Sequence, residues 1–147
     1  MIAYRTPSSE ERAVFLEWMR EHMAGTVDAV MTFLGLTWDG FADLFRMVGE
    51  VRAVSDDGKL AGFLWIEKRE RDLHVHGIIL RPEFRGRGIG AEIFELLERE
   101  FEKEIDAFEL GVRASNEGAI RFYERIGFAV ERSIEEIGFH VLRKALA

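Results

Sequence analysis

The sequence contains no cysteine. The chain therefore cannot form disulfide bonds or thiolate metal sites, and it cannot use a cysteine nucleophile. Lysine is also scarce, with four residues against sixteen arginines. Arginine forms forked hydrogen bonds to phosphates, although it also serves as ordinary solvated surface. The lack of cysteine is compatible with a reducing compartment, and we expect a cytoplasmic protein.

No apolar run approaches the roughly 18 residues that a membrane span requires. The N-terminus has no basic region followed by an apolar one, so we expect neither a secretory signal nor a membrane partner. Hydrophobic residues make up 48% and charged residues 32% of the 147-residue chain, which is typical of a globular protein. We predict a single domain over residues 1–147, because this length suits one hydrophobic core.

The net charge of −7 argues weakly against nucleic acid as a partner. It is compatible with a cationic or amine substrate, although many acidic proteins bind nothing basic. The net charge alone therefore disfavours nucleic acid as a ligand and does not identify any other ligand.

Hydrophobic periodicity and turn residues predict seven strands and about four helices in the order βααβββαβαββ. The predicted strands are residues 2–5, 50–55, 60–68, 73–80, 105–112, 128–132 and 137–142. The predicted helices are residues 9–23, 27–48, 91–102 and 115–126, and the second could divide near Gly35 or Trp38. Ser8 and Glu11 form a capping box before the first helix. Strand–helix–strand units at both ends with hairpins between them imply a mixed sheet covered by helices.

A glycine-rich loop, Arg85-Gly86-Arg87-Gly88-Ile89-Gly90, joins the apolar run 75–80 to the periodic segment 91–101. A strand that ends in such a loop and leads into a helix is typical of phosphate binding. The first turn of a helix has unpaired N–H groups and a partial positive charge. Glycines let a phosphate approach the backbone.

The spacing of the glycines excludes two common phosphate loops. A Walker A loop needs Gly-Lys-Ser/Thr, whereas Gly90 is followed by Ala91 and Glu92. The dinucleotide fingerprint needs G-x-G-x-x-G, whereas this loop reads G-x-G-x-G. What remains is Arg-x-x-Gly-x-Gly, which resembles the acyl-CoA loop of the GNAT superfamily of N-acyltransferases. On the loop alone, a glycine-rich turn without a ligand stays the alternative.

A second segment strengthens this resemblance. From Asn116 to Phe128 the sequence reads Asn-x-x-Ala-x-x-Phe-Tyr-x-x-x-Gly-Phe, which is similar to the other hallmark of the superfamily. The resemblance runs from about residue 50 to the C-terminus and is weaker before it. It implies an α/β (α+β) fold with a mixed, mostly antiparallel sheet of about seven strands, flanked by about four helices and splayed between strands 4 and 5.

In this family the pyrophosphate of acetyl-CoA lies over the loop and the helix start that follows it. The cofactor-binding residues that the resemblance implies are Arg85, Gly86, Arg87, Gly88, Ile89, Gly90, Ala91 and Asn116. Of these, Gly88 and Gly90 should tolerate a Cβ least. The side chains of Arg85 and Arg87 either pair with phosphates or stay solvated.

The resemblance also implies that the splayed strand binds the pantetheine arm through backbone groups of Ile78, Ile79 and Leu80, as another strand would. We expect the N–H of Ile79 to polarise the thioester carbonyl and to stabilise the negative charge that develops there.

Tyr123 is the catalytic residue for which the resemblance is most specific. It lies seven residues after Asn116, close to two helical turns, so both side chains share one helix face. The resemblance gives Asn116 a hydrogen bond to the cofactor and Tyr123 the role of general acid toward the leaving CoA thiolate. The alternative for Tyr123 is a core aromatic whose hydroxyl finds a local partner.

Three residues are candidates for the general base that the attacking amine needs. His74 and His76 lie on one face of their strand, and histidine titrates near neutral pH. His74 lies near the position at which histone-type members of the family carry a glutamate base. Glu67, on the neighbouring strand, is the third candidate. The alternative is that both histidines are half-exposed strand residues without a catalytic role.

We therefore expect an N-acetyltransferase in which a primary amine, of a small molecule or of a protein, attacks acetyl-CoA directly. A metal is not implied, and the chain could form a homodimer. Two alternatives stay open: the same fold acting with a longer acyl-CoA donor, and a non-catalytic acyl-CoA-binding regulatory module.

Overall fold

The computed structural model describes residues 1–146 and contains a seven-stranded sheet with the order β1-β2-β3-β4-β5-β7-β6. The strands are β1 Ile2–Arg5, β2 Glu50–Asp56, β3 Lys59–Arg69, β4 Asp72–Leu80, β5 Ala107–Arg113, β6 Ala129–Ile134 and β7 Phe139–Ala145. Neighbouring strands run antiparallel except for β4 and β5, which are parallel. The predicted mixed, mostly antiparallel sheet of an α/β fold is confirmed.

Five α-helices flank the sheet. They are α1 Ser9–His22, α2 Ala24–Leu34, α3 Trp38–Met47, α4 Ile89–Glu100 and α5 Glu117–Arg125. The expected helix 27–48 divides into α2 and α3 at the first of the two predicted breaks, so the order is βαααβββαβαββ. Gly35 ends α2 in the left-handed region with φ 68°, and the Thr37 side chain accepts a hydrogen bond from the Gly40 N–H to begin α3. Across residues 1–146, no helix has the length and hydropathy that a membrane-spanning segment requires.

Helices cover both faces of the sheet with apolar side chains. On one face, α1 and α3 pack Phe15 and Phe45 against Phe63 of β3. On the other face, α4 packs Phe94 against Phe108 of β5. The sheet is therefore a middle layer, and an opening between two of its strands can connect the two sides.

Such an opening lies between β4 and β5. Their parallel pairing runs from Asp72 opposite Ala107 to Val75 opposite Leu110, and beyond it the strands diverge. β4 then follows β3, while β5 follows β7 as far as Arg113. The predicted splay between strands 4 and 5 is confirmed.

A β-bulge at His76 sets which side chains face each layer. Trp65 pairs with Gly77 and Ile66 with Val75, so His76 is an additional residue in β4. The alternation of side chains shifts by one residue at this point. Ile79 consequently packs with the α1–α3 cluster.

Several element boundaries differ from the prediction by one to three residues, and two of these differences have a clear local consequence or cause. The helix after the loop begins at Ile89 rather than at residue 91, so Gly90 lies in its first turn. The last strand begins at Phe139 rather than at residue 137, because a short 3₁₀ turn, Glu135–Ile137, precedes it and Gly138 closes that turn with φ 66°.

Candidate active site

A cleft of about 550 Å³, here called the front cleft, opens at the splayed end of β4. It lies between the glycine-rich loop and α5. The residues that line it are His22, Met23, Ile78, Ile79, Leu80, Arg85, Gly86, Gly88, Ile89, Gly90, Phe122, Tyr123 and Arg125. The loop, the strand edge and Tyr123, which were predicted separately, thus share one cleft.

The start of α4 presents unpaired backbone donors to the front cleft. Gly88 is the N-cap residue, with φ 77° and no side chain to cap the helix. The N–H of Glu92 donates to the Gly88 carbonyl at 3.1 Å, which leaves the three preceding helical N–H groups without an intrahelical acceptor. Together with the helix dipole, these groups form an anion site.

Two glycines of the loop are constrained for different physical reasons. A Cβ on Gly88 would meet no atom within 4 Å, but its φ of 77° strains any L side chain. A Cβ on Gly90 would lie 3.0 Å from Cζ of Phe122 on α5. Gly90 therefore allows α4 and α5 to approach each other beside the cleft.

The two loop arginines point in different directions. Arg85 lines the front cleft and donates from Nε to the Leu80 carbonyl oxygen at 3.0 Å. The guanidinium of Arg87 lies 5.4 Å from the centre of the Phe84 ring and lines a separate basin with Lys59. Arg85 is thus the loop arginine with access to a ligand in the front cleft.

The backbone of β4 offers hydrogen bonds to the front cleft at every second residue. Arg81 donates its N–H to the Ala61 carbonyl oxygen of β3 at 2.7 Å. Because N–H groups alternate along a strand, the N–H of Ile79 also faces β3, and those of Ile78 and Leu80 face the splay. The expectation that the Ile79 N–H polarises a bound carbonyl is therefore corrected: the residues whose amides face the opening are Ile78 and Leu80.

Tyr123 lies where the front cleft narrows into a passage of about 200 Å³, here called the neck. Its ring is held by edge contacts with Phe94 and Phe128, at centroid distances of 6.0 and 5.4 Å. Burial raises the pKa of the Tyr123 hydroxyl to about 12. The hydroxyl is protonated at neutral pH, as an unperturbed tyrosine would be, and burial makes it a weaker acid than usual.

Asn116 also lines the neck, on the same side of α5 as Tyr123. It is the N-cap residue of α5, and its Oδ1 accepts a hydrogen bond from the Ala119 N–H at 3.2 Å. Capping uses the side-chain oxygen, while the side-chain NH₂ group stays available as a donor.

A third cavity of about 450 Å³, here called the rear cavity, lies on the α2 side of the sheet. Its floor brings together all three predicted base candidates. His76 Nε2 lies 2.9 Å from Glu67 Oε1, and His74 Nδ1 lies 3.1 Å from Glu109 Oε1. Arg69 donates to the same Glu67 oxygen at 2.9 Å. Two histidine–carboxylate pairs therefore lie side by side, with the imidazole centroids 4.6 Å apart.

Burial keeps both imidazoles neutral near pH 7. It lowers the pKa of His74 to about 4, with help from the charges of His76 and Arg69 and against the hydrogen bond with Glu109. Burial also lowers the pKa of His76, against the hydrogen bond with Glu67. Burial raises the pKa of Glu67, but the bonds from His76 and Arg69 outweigh it, so the pKa lies below its ordinary value.

The neck joins the front cleft to the rear cavity. Tyr123 and Ile78 line both the front cleft and the neck, whereas His76 and Gly111 line both the rear cavity and the neck. The Tyr123 hydroxyl and the neutral imidazole of His76 therefore line the same small cavity, which adjoins both the front cleft and the rear cavity.

Sequence reasoning missed Glu109 as a site residue, and the structure places Trp65, expected as a core residue, against His76. The ring of Trp65 stacks on His76 at a centroid distance of 4.4 Å, and its Nε1 donates to the Val48 carbonyl oxygen at 2.8 Å. Glu109 could have been found from strand pairing, because it lies opposite His74 in the parallel register. His22, for which the sequence suggested no role, lines the front cleft.

Comparison with known proteins identifies the family to which the chain belongs. The chain matches the Acetyltransferase (GNAT) family over residues 13–128. It is 43% identical over 81 residues to an uncharacterized N-acetyltransferase of Methanocaldococcus jannaschii, covering 49% of this chain and 35% of that protein. It is 36% identical over 76 residues to a mycothiol acetyltransferase of Corynebacterium aurimucosum, covering 48% of this chain and 25% of that protein. The chain thus matches well under half of the length of either relative.

Solved structures show the same fold. The PaiA N-acetyltransferase of Thermoplasma acidophilum, in complex with coenzyme A, superposes with a TM-score of 0.73 over 99% of both chains at 19% identity. At this identity the similarity establishes the fold alone.

Proposed function

Because the chain belongs to the acetyltransferase (GNAT) family, we propose that it transfers the acetyl group of acetyl-CoA to a primary amine. One observation carries the proposal: the front cleft and the rear cavity meet at a neck that is lined by Tyr123 and His76. A donor and an acceptor that enter from opposite sides of the sheet can react there without a covalent enzyme intermediate.

The front cleft is the proposed site of acetyl-CoA. The unpaired N–H groups at the start of α4 would hold the pyrophosphate, and Arg85 would add positive charge at the entrance. The N–H groups of Ile78 and Leu80 would bind the pantetheine arm and polarise the thioester carbonyl. The complex of a similar fold with coenzyme A supports this ligand.

His76 is the base candidate that the geometry favours, because it lines the neck as well as the rear cavity. Glu67 is ionised and only accepts hydrogen bonds, so the bond at 2.9 Å places the imidazole proton on Nε2. The lone pair of Nδ1 is then available for the amine proton, directly or through one water. Of the front cleft, the neck and the rear cavity, His74 lines only the rear cavity. It therefore lies farther from the proposed reaction than His76.

Tyr123 is the proposed general acid. The amine nitrogen forms a bond to the carbonyl carbon, and the carbon–sulfur bond breaks. His76 takes a proton from the amine, and Tyr123 gives its proton to the departing CoA thiolate. Because burial raises the pKa of the hydroxyl to about 12, Tyr123 recovers its proton readily after each turnover.

Thiol release and thermal unfolding, measured together, test this function. Acetyl-CoA should raise the melting temperature, because a ligand that binds the native state stabilises it by about 2.7 kcal/mol at a hundred times its Kd. A panel of primary amines should then stimulate thiol release above a control without acceptor. A rise in melting temperature with no release for any amine would instead support the non-catalytic acyl-CoA-binding module. Thiol release with a longer acyl-CoA but not with acetyl-CoA would show that the longer acyl-CoA is the donor.

A further inference from the structure

The rear cavity has walls that are much less polar than its floor. Helix α2 contributes Val30, Phe33 and Leu34, and the hairpin of β6 and β7 contributes Ile137 and Phe139. Phe33 and Leu34 are 53% and 52% exposed, which is unusual for large apolar side chains beside a cavity. Helix α2 lies against the 3₁₀ turn that holds Ile137, so the apolar surfaces face each other across the cavity.

The core explains the apolar character of only part of α2, because Val30 and Met31 pack against the α1–α3 cluster while Phe33 and Leu34 stay exposed. Within the described chain, Val27 is the one residue of this helix that is buried. The residues that line the cavity, Thr26, Val30, Phe33 and Leu34, follow the spacing of one helix face. Phe33 and Leu34 are the large apolar side chains of that face that stay exposed, and we expect them to be covered by a ligand that occupies the cavity.

The floor of the cavity supplies a carboxylate for a cation. Among residues 1–146, Glu109 has one hydrogen-bond partner, the His74 imidazole, which is neutral near pH 7. Arg143 lies opposite Glu109 in the strand register, but its guanidinium is bonded to Asp72 at 2.7 and 3.0 Å. The other arginines of the lining, Arg69 and Arg132, are each bonded to a carboxylate of their own. Glu109 is thus the carboxylate of the floor that makes no salt bridge to an arginine, although it lies near enough to Arg143 to act on that charge.

We propose that the rear cavity selects amine acceptors that carry an apolar group next to the amine. The apolar group would pack against Phe33 and Leu34, and the ammonium would first meet Glu109 before it loses its proton in the neck. The inference rests on the proposed function, because it identifies the acceptor of that same reaction. The chemistry would be shared by an alkylamine and by a peptide whose first residue is apolar.

Matched pairs of acceptors test this selection. Butylamine and methoxyethylamine have the same number of non-hydrogen atoms, and two otherwise identical short peptides can begin with leucine or with asparagine. We expect the apolar member of at least one pair to have a kcat/KM roughly tenfold higher or more. The pair that shows the preference identifies the source of the acceptor, small molecule or polypeptide.

Phe33→Ser should reduce that preference to near unity by raising the KM of the apolar acceptor, while the KM for acetyl-CoA stays unchanged. Met47→Ser is the matched control, because Met47 is also exposed, at 82%, and does not line the cavity. Equal rates within both pairs, or a preference that survives Phe33→Ser, would overturn the inference and leave the transferase function in place. Absence of thiol release with every amine, despite stabilisation by acetyl-CoA, would overturn the proposed function and this inference together.

Discussion

Burial sets the protonation state of the residues at the neck in opposite directions. It raises the pKa of Tyr123 and lowers that of His76, because each side chain loses water that would stabilise its charged form. Near pH 7 both are therefore neutral, one as an acid and the other as a base. Neutral partners at the two ends of one passage are what an acyl transfer to an amine requires.

Tyr123→Phe should lower kcat roughly a hundredfold or more, because it removes the proposed proton donor and keeps the ring that packs on Phe94. The Kd for acetyl-CoA should change little. Tyr4→Phe is the matched control at the one other tyrosine, whose hydroxyl donates to the Ile93 carbonyl oxygen at 3.1 Å, away from the clefts. Steady-state kinetics with calorimetric binding would separate the two effects. An unchanged kcat in Tyr123→Phe would place the acid elsewhere.

The pair of His76 and Glu67 predicts a shift in the pH dependence of kcat. The hydrogen bond with Glu67 raises the pKa of His76, so Glu67→Gln should lower that pKa further. The acidic limb of kcat should then move to lower pH, and kcat should fall because Gln holds the Nε2 proton less firmly. Glu109→Gln, which alters His74 instead, is the comparison. If only Glu109→Gln moves the limb, His74 rather than His76 is the base.

At the scale of elements, the start of α4 and the bulge in β4 position the site. Gly88 begins the helix without a side-chain cap and so leaves backbone donors for a ligand. The bulge at His76 turns both histidines toward the rear cavity and leaves Ile78 at the front. The start of α4 thus supplies donors to the front cleft, and the bulge directs side chains of β4 toward both cavities.

Gly88→Glu should abolish the rise in melting temperature that acetyl-CoA produces, because it places a side chain and a negative charge where the pyrophosphate would lie. Gly58→Glu is a matched control in the β2–β3 turn. Its φ of 81° is close to the 77° of Gly88, and neither Cβ would meet an atom within 4 Å. Both variants should therefore lose similar stability without ligand. Unchanged binding by Gly88→Glu would show that the loop does not hold the phosphates.

At the scale of the whole molecule, the sheet separates the proposed donor site from the proposed acceptor site, and the splay between β4 and β5 lies between them. Apart from the division of the second helix, the order of elements could be predicted from hydrophobic periodicity and turn residues. The splay could be predicted because the two motifs, Arg85 to Gly90 and Asn116 to Phe128, resemble those of a family whose topology is shared. The division at Gly35 was anticipated as one of two choices. The bulge at His76 could not be read from the sequence, because it depends on pairing with β3. The Ile79 amide was named from the resemblance, which does not fix the residues whose N–H groups face the splay.

The front cleft could be predicted from the sequence more completely than the rear cavity. Tyr123 and the loop glycines lie in motifs, so their positions in the front cleft followed from the sequence. Glu109 carries no motif and gains its role from a neighbour 35 positions away. The α2 part of the apolar wall of the rear cavity belongs to the first fifty residues, where the resemblance is weak, and only tertiary packing brings it opposite Ile137 and Phe139.

The buried His74 predicts that part of the folding stability is lost in mild acid. Its pKa is about 4 in the folded protein against 6.5 for an unperturbed side chain, so protons bind the unfolded chain first. This contribution is present above pH 6.5 and is lost as the pH falls to about 4, with a loss on the order of 3 kcal/mol. Urea unfolding at pH 7 and pH 4.5 should show a smaller loss for His74→Gln than for the natural protein. Equal losses would mean that His74 does not resist protonation.

The most direct measurement of the central claim follows an isotope-labelled acetyl group from acetyl-CoA into an amine by mass spectrometry, with free CoA thiol quantified in parallel. The account predicts N-acetylated amine and thiol in equal amounts, formed when protein and acceptor are both present and nearly absent with Tyr123→Phe. Labelled acetyl that stays on CoA with every amine tested, while acetyl-CoA still stabilises the fold, would contradict it.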